Sequence, residues 1–234
     1  MLSKFRAAAV KFKTFLFHQY GIPAARNEQI SKRVLKSYLP ARPVVIDCGA
    51  FDGADSLQLA SSLNAKVYSF EAMPEIFAQL KKNVAGNNAV TCVPLALSNF
   101  NGKQSFYVSE GSSTASSSLL EPKEHLTDHP GTIFKKKIEV NAVTLDDWAR
   151  ENNIEKIDLL WLDMQGFELK MLKASPRILK TVTVIHTEVS TKETYEGVEV
   201  YSEYKSFLEA NGFTAVIEAI PAGWDMGNVL FVRK

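Results

Sequence analysis

Apolar and polar positions along the 234 residues follow two different regimes that meet near Pro43. Upstream, Leu2, Phe5, Ala9, Phe12 and Leu16 recur at three- and four-residue steps, flanked by Lys4, Arg6, Lys11 and Lys13, which predicts an amphipathic helix over 2–17. Gly21 and Pro23 break it, and a second basic helix is expected over about 27–38, ending before Pro40. Downstream, short apolar runs alternate with stretches of helical spacing. The runs 44–47, 66–71, 90–94, 157–163 and 182–188 read as buried strands, and 54–62, 74–84, 167–174 and 202–211 as helices. Pro74 suits a first turn, and Thr144 with Asp147 three residues on caps a further helix ending at Glu151. Residues 102–108 and 137–143 are expected as strands around a Ser-rich loop (111–118) and a polar stretch containing Pro122 and Pro130. Such alternation specifies an α/β fold, a mainly parallel sheet with helices on both faces. The last two strands, 213–220 and 229–232, are joined by a segment too short for a helical crossover, so they must pair antiparallel.

Composition refines this picture. Apolar and charged fractions of 46% and 23% are those of a globular chain of one main domain. No apolar run reaches the roughly 18 residues of a membrane span, and basic residues interrupt the N-terminal stretch where a secretory signal would be continuous. A cytoplasmic protein is therefore expected, with Cys48 and Cys92 as reduced core thiols. The net charge of +1 conceals an asymmetry: residues 1–42 carry nine Lys/Arg against the single acid Glu28, so the remainder is acidic. This divides the chain into a basic helical arm, 1–42, and a body, 43–234. The arm has three readings: packing across the body, peripheral contact with an anionic membrane surface, or dimerisation. Nucleic-acid binding is disfavoured, because the body is acidic and bears no recognition motif.

Candidate chemistry gathers at strand ends. The first strand runs into Asp47-Cys48-Gly49-Ala50-Phe51-Asp52-Gly53, whose small residues let a ligand approach backbone over the end of a parallel strand. Asp47 is placed either to bond that ligand or to fix the loop. Glu71 ends the second strand, 22 positions after Gly49, where one carboxylate can accept both hydroxyls of a ribose. A nucleoside-type cofactor follows, but this spacing alone does not separate a nicotinamide from a sulfonium donor. The fourth long strand ends in Asp163, followed by Met164-Gln165-Gly166-Phe167-Glu168; Glu168 is placed to brace that loop or to react. No metal constellation stands out, since Asp146 and Asp147 sit at a helix start, where capping explains them.

In the same order along the chain come VIDCGAFDG (45–53), SFEAMPEIFAQLKKNV (69–84), PLALSNFNG (94–102), SSTASSSL (112–119), VNAVTLDDW (140–148), IDLLWLDMQGFELKMLKA (157–174) and IHTEVS (185–190). This series resembles the FkbM family of methyltransferases over about 44–231. The resemblance implies a Rossmann-like class I methyltransferase fold, S-adenosylmethionine (SAM) as methyl donor, and O-methylation of a sugar, glycan or glycolipid hydroxyl. It implies further that Asp47, Gly49 and Gly53, with Ala50, Phe51 and Ser56, form the SAM loop and that Glu71, followed by Ala72 and Met73, holds the ribose. Ala96, Leu97 and Ser98 would lie near the adenine, and Asp163 would be the acidic residue after the fourth strand. The family often has an acid where Gln165 stands. A sugar hydroxyl is a poor nucleophile, so a general base is useful, and the candidates are Asp163, His186 and Glu188. His186 and Glu188 share a strand face, so a buried pair beneath the crevice is the competing reading. His125 and His129 lie in the polar stretch and His18 in the arm. The Ser-rich loop reads as flexible by composition, and its family match implies a lid over the cofactor site or a source of hydroxyl donors to a polar acceptor. Two rival functions remain: a nicotinamide oxidoreductase, against which the missing third loop glycine and the terminal antiparallel strand argue, and a non-catalytic SAM-binding module.

Overall fold

Strand β1, Val44–Cys48, has four of its five residues buried, as a central parallel strand requires. A computed structural model describes Ile30, residues 32–123 and residues 131–234. In chain order, the short helix α1 (Lys32–Lys36) precedes β1. Then come α2 (Ala54–Leu63), β2 (Lys66–Phe70), α3 (Pro74–Asn83), β3 (Val90–Val93), β4 (Ala96–Leu97), β5 (Gly102–Gly111) and β6 (Thr132–Val143). The second half comprises α4 (Leu145–Glu151), β7 (Leu159–Leu162), α5 (Glu168–Lys173), α6 (Pro176–Leu179), β8 (Val184–Ser190), α7 (Tyr201–Ala210), β9 (Phe213–Ala219) and β10 (Met226–Arg233).

Seven strands form the main sheet in the order β3-β2-β1-β7-β8-β10-β9, parallel except that β10 runs antiparallel to both its neighbours. This is the Rossmann-like class I arrangement expected, with the refinement that the final strand inserts between β8 and β9 and does not lie at the edge. Alternate residues of each strand feed two cores. On one face Ile46, Leu160, Leu162 and Ile185 pack with Leu145 and Trp148 of α4 and Tyr204 and Leu208 of α7. On the other, Val45, Val67, Leu159, Trp161 and Val184 pack with Leu59 and Leu63 of α2. Thr144 caps α4 as predicted, its hydroxyl accepting from the Asp147 N–H at 3.2 Å.

Several expectations change. The boundary drawn at residue 42 cuts through a packed cluster, because Ile30 and Leu35 are fully buried against the sheet with Val45, Leu59 and Trp161. The main body therefore extends back at least to Ile30, and packing across the body is what these residues do. Among the described residues the second basic helix is only α1, and residues 37–38 already turn. The predicted helix over 2–17 and His18, His125 and His129 lie outside the described residues. The hairpin of β5 and β6 is longer than its apolar core suggested, and the two-residue β4 joins it as a three-stranded second sheet, β4-β6-β5. The short helix α6 was not anticipated. Among the described residues no helix is long and apolar enough to cross a membrane.

Candidate active site

Strand order reverses between β1 and β7, with β2 and β3 to one side and β8 to the other. Ligands of open parallel sheets bind over the carboxyl ends of strands at such a switch point. Gly49, leaving β1, and Asp163, leaving β7, meet there. The Asp163 N–H donates to the Cys48 carbonyl at 3.0 Å, and a Cβ on Gly49, whose φ is +80°, would stand 2.0 Å from the Asp163 carbonyl oxygen. Gly53, at φ +85°, would drive a Cβ to 2.6 Å from Leu80 and 2.8 Å from Val84. Both glycines thus make room for protein against protein, loop against loop and loop against α3. That corrects the expectation that they serve ligand approach alone.

The loop is braced from below. Asp47 is buried and accepts the Ser56 hydroxyl, which in turn lies 2.6 Å from the Ser69 hydroxyl of β2. Of its two expected roles, Asp47 performs the fixing of the loop. Ala50 is buried with its N–H donating to the Phe70 carbonyl at 2.9 Å. Phe51 adopts a left-handed φ of 48°, uncommon for a large side chain, and its N–H donates to Glu71 Oε2 at 3.1 Å. The other carboxylate oxygen accepts the Met73 N–H at 2.8 Å, across the half-buried Ala72. Glycine loop and acid therefore close on the same crevice. Burial raises the Glu71 pKa to about 7, with the hydrogen bonds from Met73 and Phe51 opposing it. Ala96, Leu97 and Ser98 are all buried beside this end of β1. A backbone hydrogen bond from Leu97 reaches the Cys48 thiol, and Ser98 donates its hydroxyl to Gln104 Oε1 at 2.6 Å.

Beyond β7, residues 163–168 form a second loop. Glu168 is buried and accepts the Met164 N–H at 2.7 Å, so it braces the turn; desolvation lifts its pKa to about 7. Gln165, buried and at φ 53°, sits at the centre. Its Nε2 donates to Asp163 Oδ1 at 2.6 Å and to Glu188 Oε2 at 3.0 Å. Its Oε1 lies 3.2 Å from the Tyr195 hydroxyl, which also lies 2.8 Å from the Ser116 carbonyl, and its own carbonyl accepts from Ser118 Oγ at 2.9 Å. Asp163 and Glu188, both half-buried, are thereby brought to one amide nitrogen. His186 is not: its ring is 2% exposed and stacked on Trp161, centroids 3.6 Å apart and planes 4° apart. It lies one strand repeat beneath Glu188 in the core, out of reach of an acceptor, which removes it as a base. Among the described residues no group of three or more His, Cys, Asp or Glu could hold a metal ion.

The Ser-rich segment is another correction. Ser116 and Ser118 are buried, the Ser109 hydroxyl accepts the Ser116 N–H at 3.0 Å, and the Tyr107 and Ser118 backbones exchange hydrogen bonds. It is a stitched wall of the site. Residue patterning missed Tyr195, which stands in a polar segment with no periodicity. It also read Gln165 only as a departure, because its partners lie 23 and 30 positions away.

Comparison with known proteins gives a consistent result. A Methyltransferase FkbM domain matches residues 47–215. The chain is 34% identical over 163 residues to a 2-O-methyltransferase, NoeI, of Sinorhizobium fredii (strain NBRC 101917 / NGR234), an alignment covering 66% of each chain. It is 25% identical over 225 residues to methyltransferase sdnD of Sordaria araneosa, covering 84% of this chain and 83% of that one. Among solved structures, M. capricolum TrmK in complex with S-adenosyl-homocysteine superposes with a TM-score of 0.51 at 9% identity, covering 88% of this chain and 70% of that one, a likeness of fold.

Proposed function

The chain belongs to the FkbM methyltransferase family, and on that premise we propose that it transfers a methyl group from SAM to a hydroxyl of a sugar or glycan. The observation that carries the reading is the hydrogen bond from the Phe51 N–H to Glu71, which joins the β1 loop and the β2 acid into one crevice at the switch point. The residues there fit a nucleoside: each Glu71 oxygen accepts one backbone N–H, and a carboxylate has about four lone-pair sites, so a ribose diol can be added. Similarity to a 2-O-methyltransferase supports oxygen as the acceptor.

When bound, SAM supplies a methyl group already activated by its sulfonium. The chain's own work is alignment and removal of one proton. Glu71 would hold the ribose, and the seam between Gly49 and Asp163 would stand at the base of the crevice. Asp163 and Glu188, held half-exposed at the strand ends, accept the proton of the incoming hydroxyl. The stitched segment 112–118 walls one side and limits water.

Calorimetry with S-adenosylhomocysteine, alongside NAD, tests this. Glu71→Ala is expected to weaken S-adenosylhomocysteine binding by roughly 10- to 100-fold, the worth of a hydrogen bond to a charged group. Since the ionised carboxylate accepts the diol, wild-type affinity should rise as pH increases through about 7. Labelled methyl transfer to extracted glycans, abolished in Asp163→Ala, completes the test. Tight binding of the cofactor product with no glycan labelled would overturn the enzymatic reading, and binding of NAD alone would overturn both.

A further inference from the structure

We propose that Gln165 is a positioning residue: its amide keeps Asp163 and Glu188 both ionised and aimed at one point. The geometry is specific. Both hydrogens of Nε2 are directed at carboxylate oxygens, Asp163 Oδ1 at 2.6 Å and Glu188 Oε2 at 3.0 Å, so each of those oxygens must present a lone pair. Two carboxylates facing one site ordinarily relieve their repulsion by one of them holding a proton. Donor hydrogens placed between them remove the need, because hydrogen bonds to the charged form favour it.

The amide cannot reverse without penalty. Reversal would set Oε1 against the two carboxylate oxygens that Nε2 now serves. The backbone is held too, at φ 53° with its carbonyl accepting from Ser118. The surrounding charges make such a donor valuable. From α5 comes Glu168, and from the segment after β8 come Tyr195 and Glu199, the latter paired with Lys170 and Lys173. On the β1 side stand Asp47, Cys48 and Glu71. The neighbourhood is largely acidic, and two N–H groups at its centre oppose its field.

That the ionised pair serves as base rests on the proposed methyl transfer. There the acceptor O–C bond forms as the S–C bond breaks, and the hydroxyl proton passes to a carboxylate. The ionisation itself does not rest on that reading, and the experiment separates the two. Protein carrying 13C-carboxyl Asp and Glu is titrated by NMR as wild type, Gln165→Leu, Gln165→Glu and Tyr195→Phe. In both Gln165 variants a carboxyl of the pair should titrate about one unit or more higher, and the acidic limb of the kcat profile should move with it. On that acidic limb kcat should fall roughly 10-fold for each pH unit the limb moves and recover as pH is raised, while S-adenosylhomocysteine affinity stays within about 2-fold. Tyr195→Phe, whose lost hydroxyl lies closer to the Ser116 carbonyl than to Oε1, should leave the titration close to wild type. Carboxyl titrations unchanged from wild type in the folded variants would overturn the proposal. Shifted titrations in a protein that methylates no sugar would leave it standing and refute the sugar assignment.

Discussion

Gly49 and Gly86 have nearly the same backbone, φ +80° and +83°, yet a methyl group on each would meet different surroundings. At Gly86 nothing lies within 4 Å, so Gly86→Ala should cost only the left-handed penalty, about 1–2 kcal/mol. At Gly49 the added carbon would stand 2.0 Å from the Asp163 carbonyl oxygen, and two strand ends would have to part. Urea unfolding of Gly49→Ala should show that same penalty plus an excess of roughly 2 kcal/mol or more, with S-adenosylhomocysteine binding lost in parallel. The sequence pattern put this loop and Glu71 at neighbouring strand ends, where the structure has them in contact, since strand-end position and spacing are local facts. It could not show which way each missing Cβ faces. Tyr195 was illegible for a related reason: its meaning comes from Ser116 and Gln165, 79 and 30 positions away, and no local pattern records such contacts. His186 was left between base and buried residue because strand alternation fixes a face but not a depth, and one repeat separates the crevice from the core, where the structure buries it.

At the scale of elements, the apolar runs located β1, β2, β7 and β8 because strands buried on both faces must be apolar throughout, and the edge strand β3 by its short apolar run alone. β4 has two residues, too few to leave a period, and exists only by pairing with Ala142 and Val143. The Ser-rich segment looked flexible because composition reports the absence of apolar burial and says nothing of hydroxyls that bond one another. α1 makes the sharpest case. Its sequence, KRVLK, is basic and short, and charge alone assigned it to a separate arm. Leu35 is nonetheless completely buried against β1 and α2. Leu35→Ala is therefore expected to cost about 2–5 kcal/mol in urea unfolding, as for any core leucine, whereas an exposed position such as Lys36→Ala should change stability by less than about 0.5 kcal/mol.

Across the whole molecule, two buried glutamates give the fold a dependence on pH. Glu71 and Glu168 both have folded pKa values of about 7 against an ordinary 4.5, desolvation being the leading cause in each. Between those limits the folded state holds more protons than the unfolded chain, so stability is greatest below about pH 4.5 as far as these groups are concerned and falls as pH rises toward 7. The loss is on the order of 1–3 kcal/mol for each fully ionised group. Glu168→Gln, which keeps an oxygen for the Met164 N–H, should flatten the fall in urea midpoint across that range by about half. A second whole-chain property follows from the placing of β10. Within the sheet β9 is hydrogen-bonded only to β10, although β9 is synthesised first. On the ribosome, a nascent chain that has emerged only as far as Gly223 already owns β9 but has no berth for it, and the flank of β8 waits uncovered. Assembly at this end therefore reverses the order of translation, and a stop codon before Met226 would strand β9 as well as remove β10.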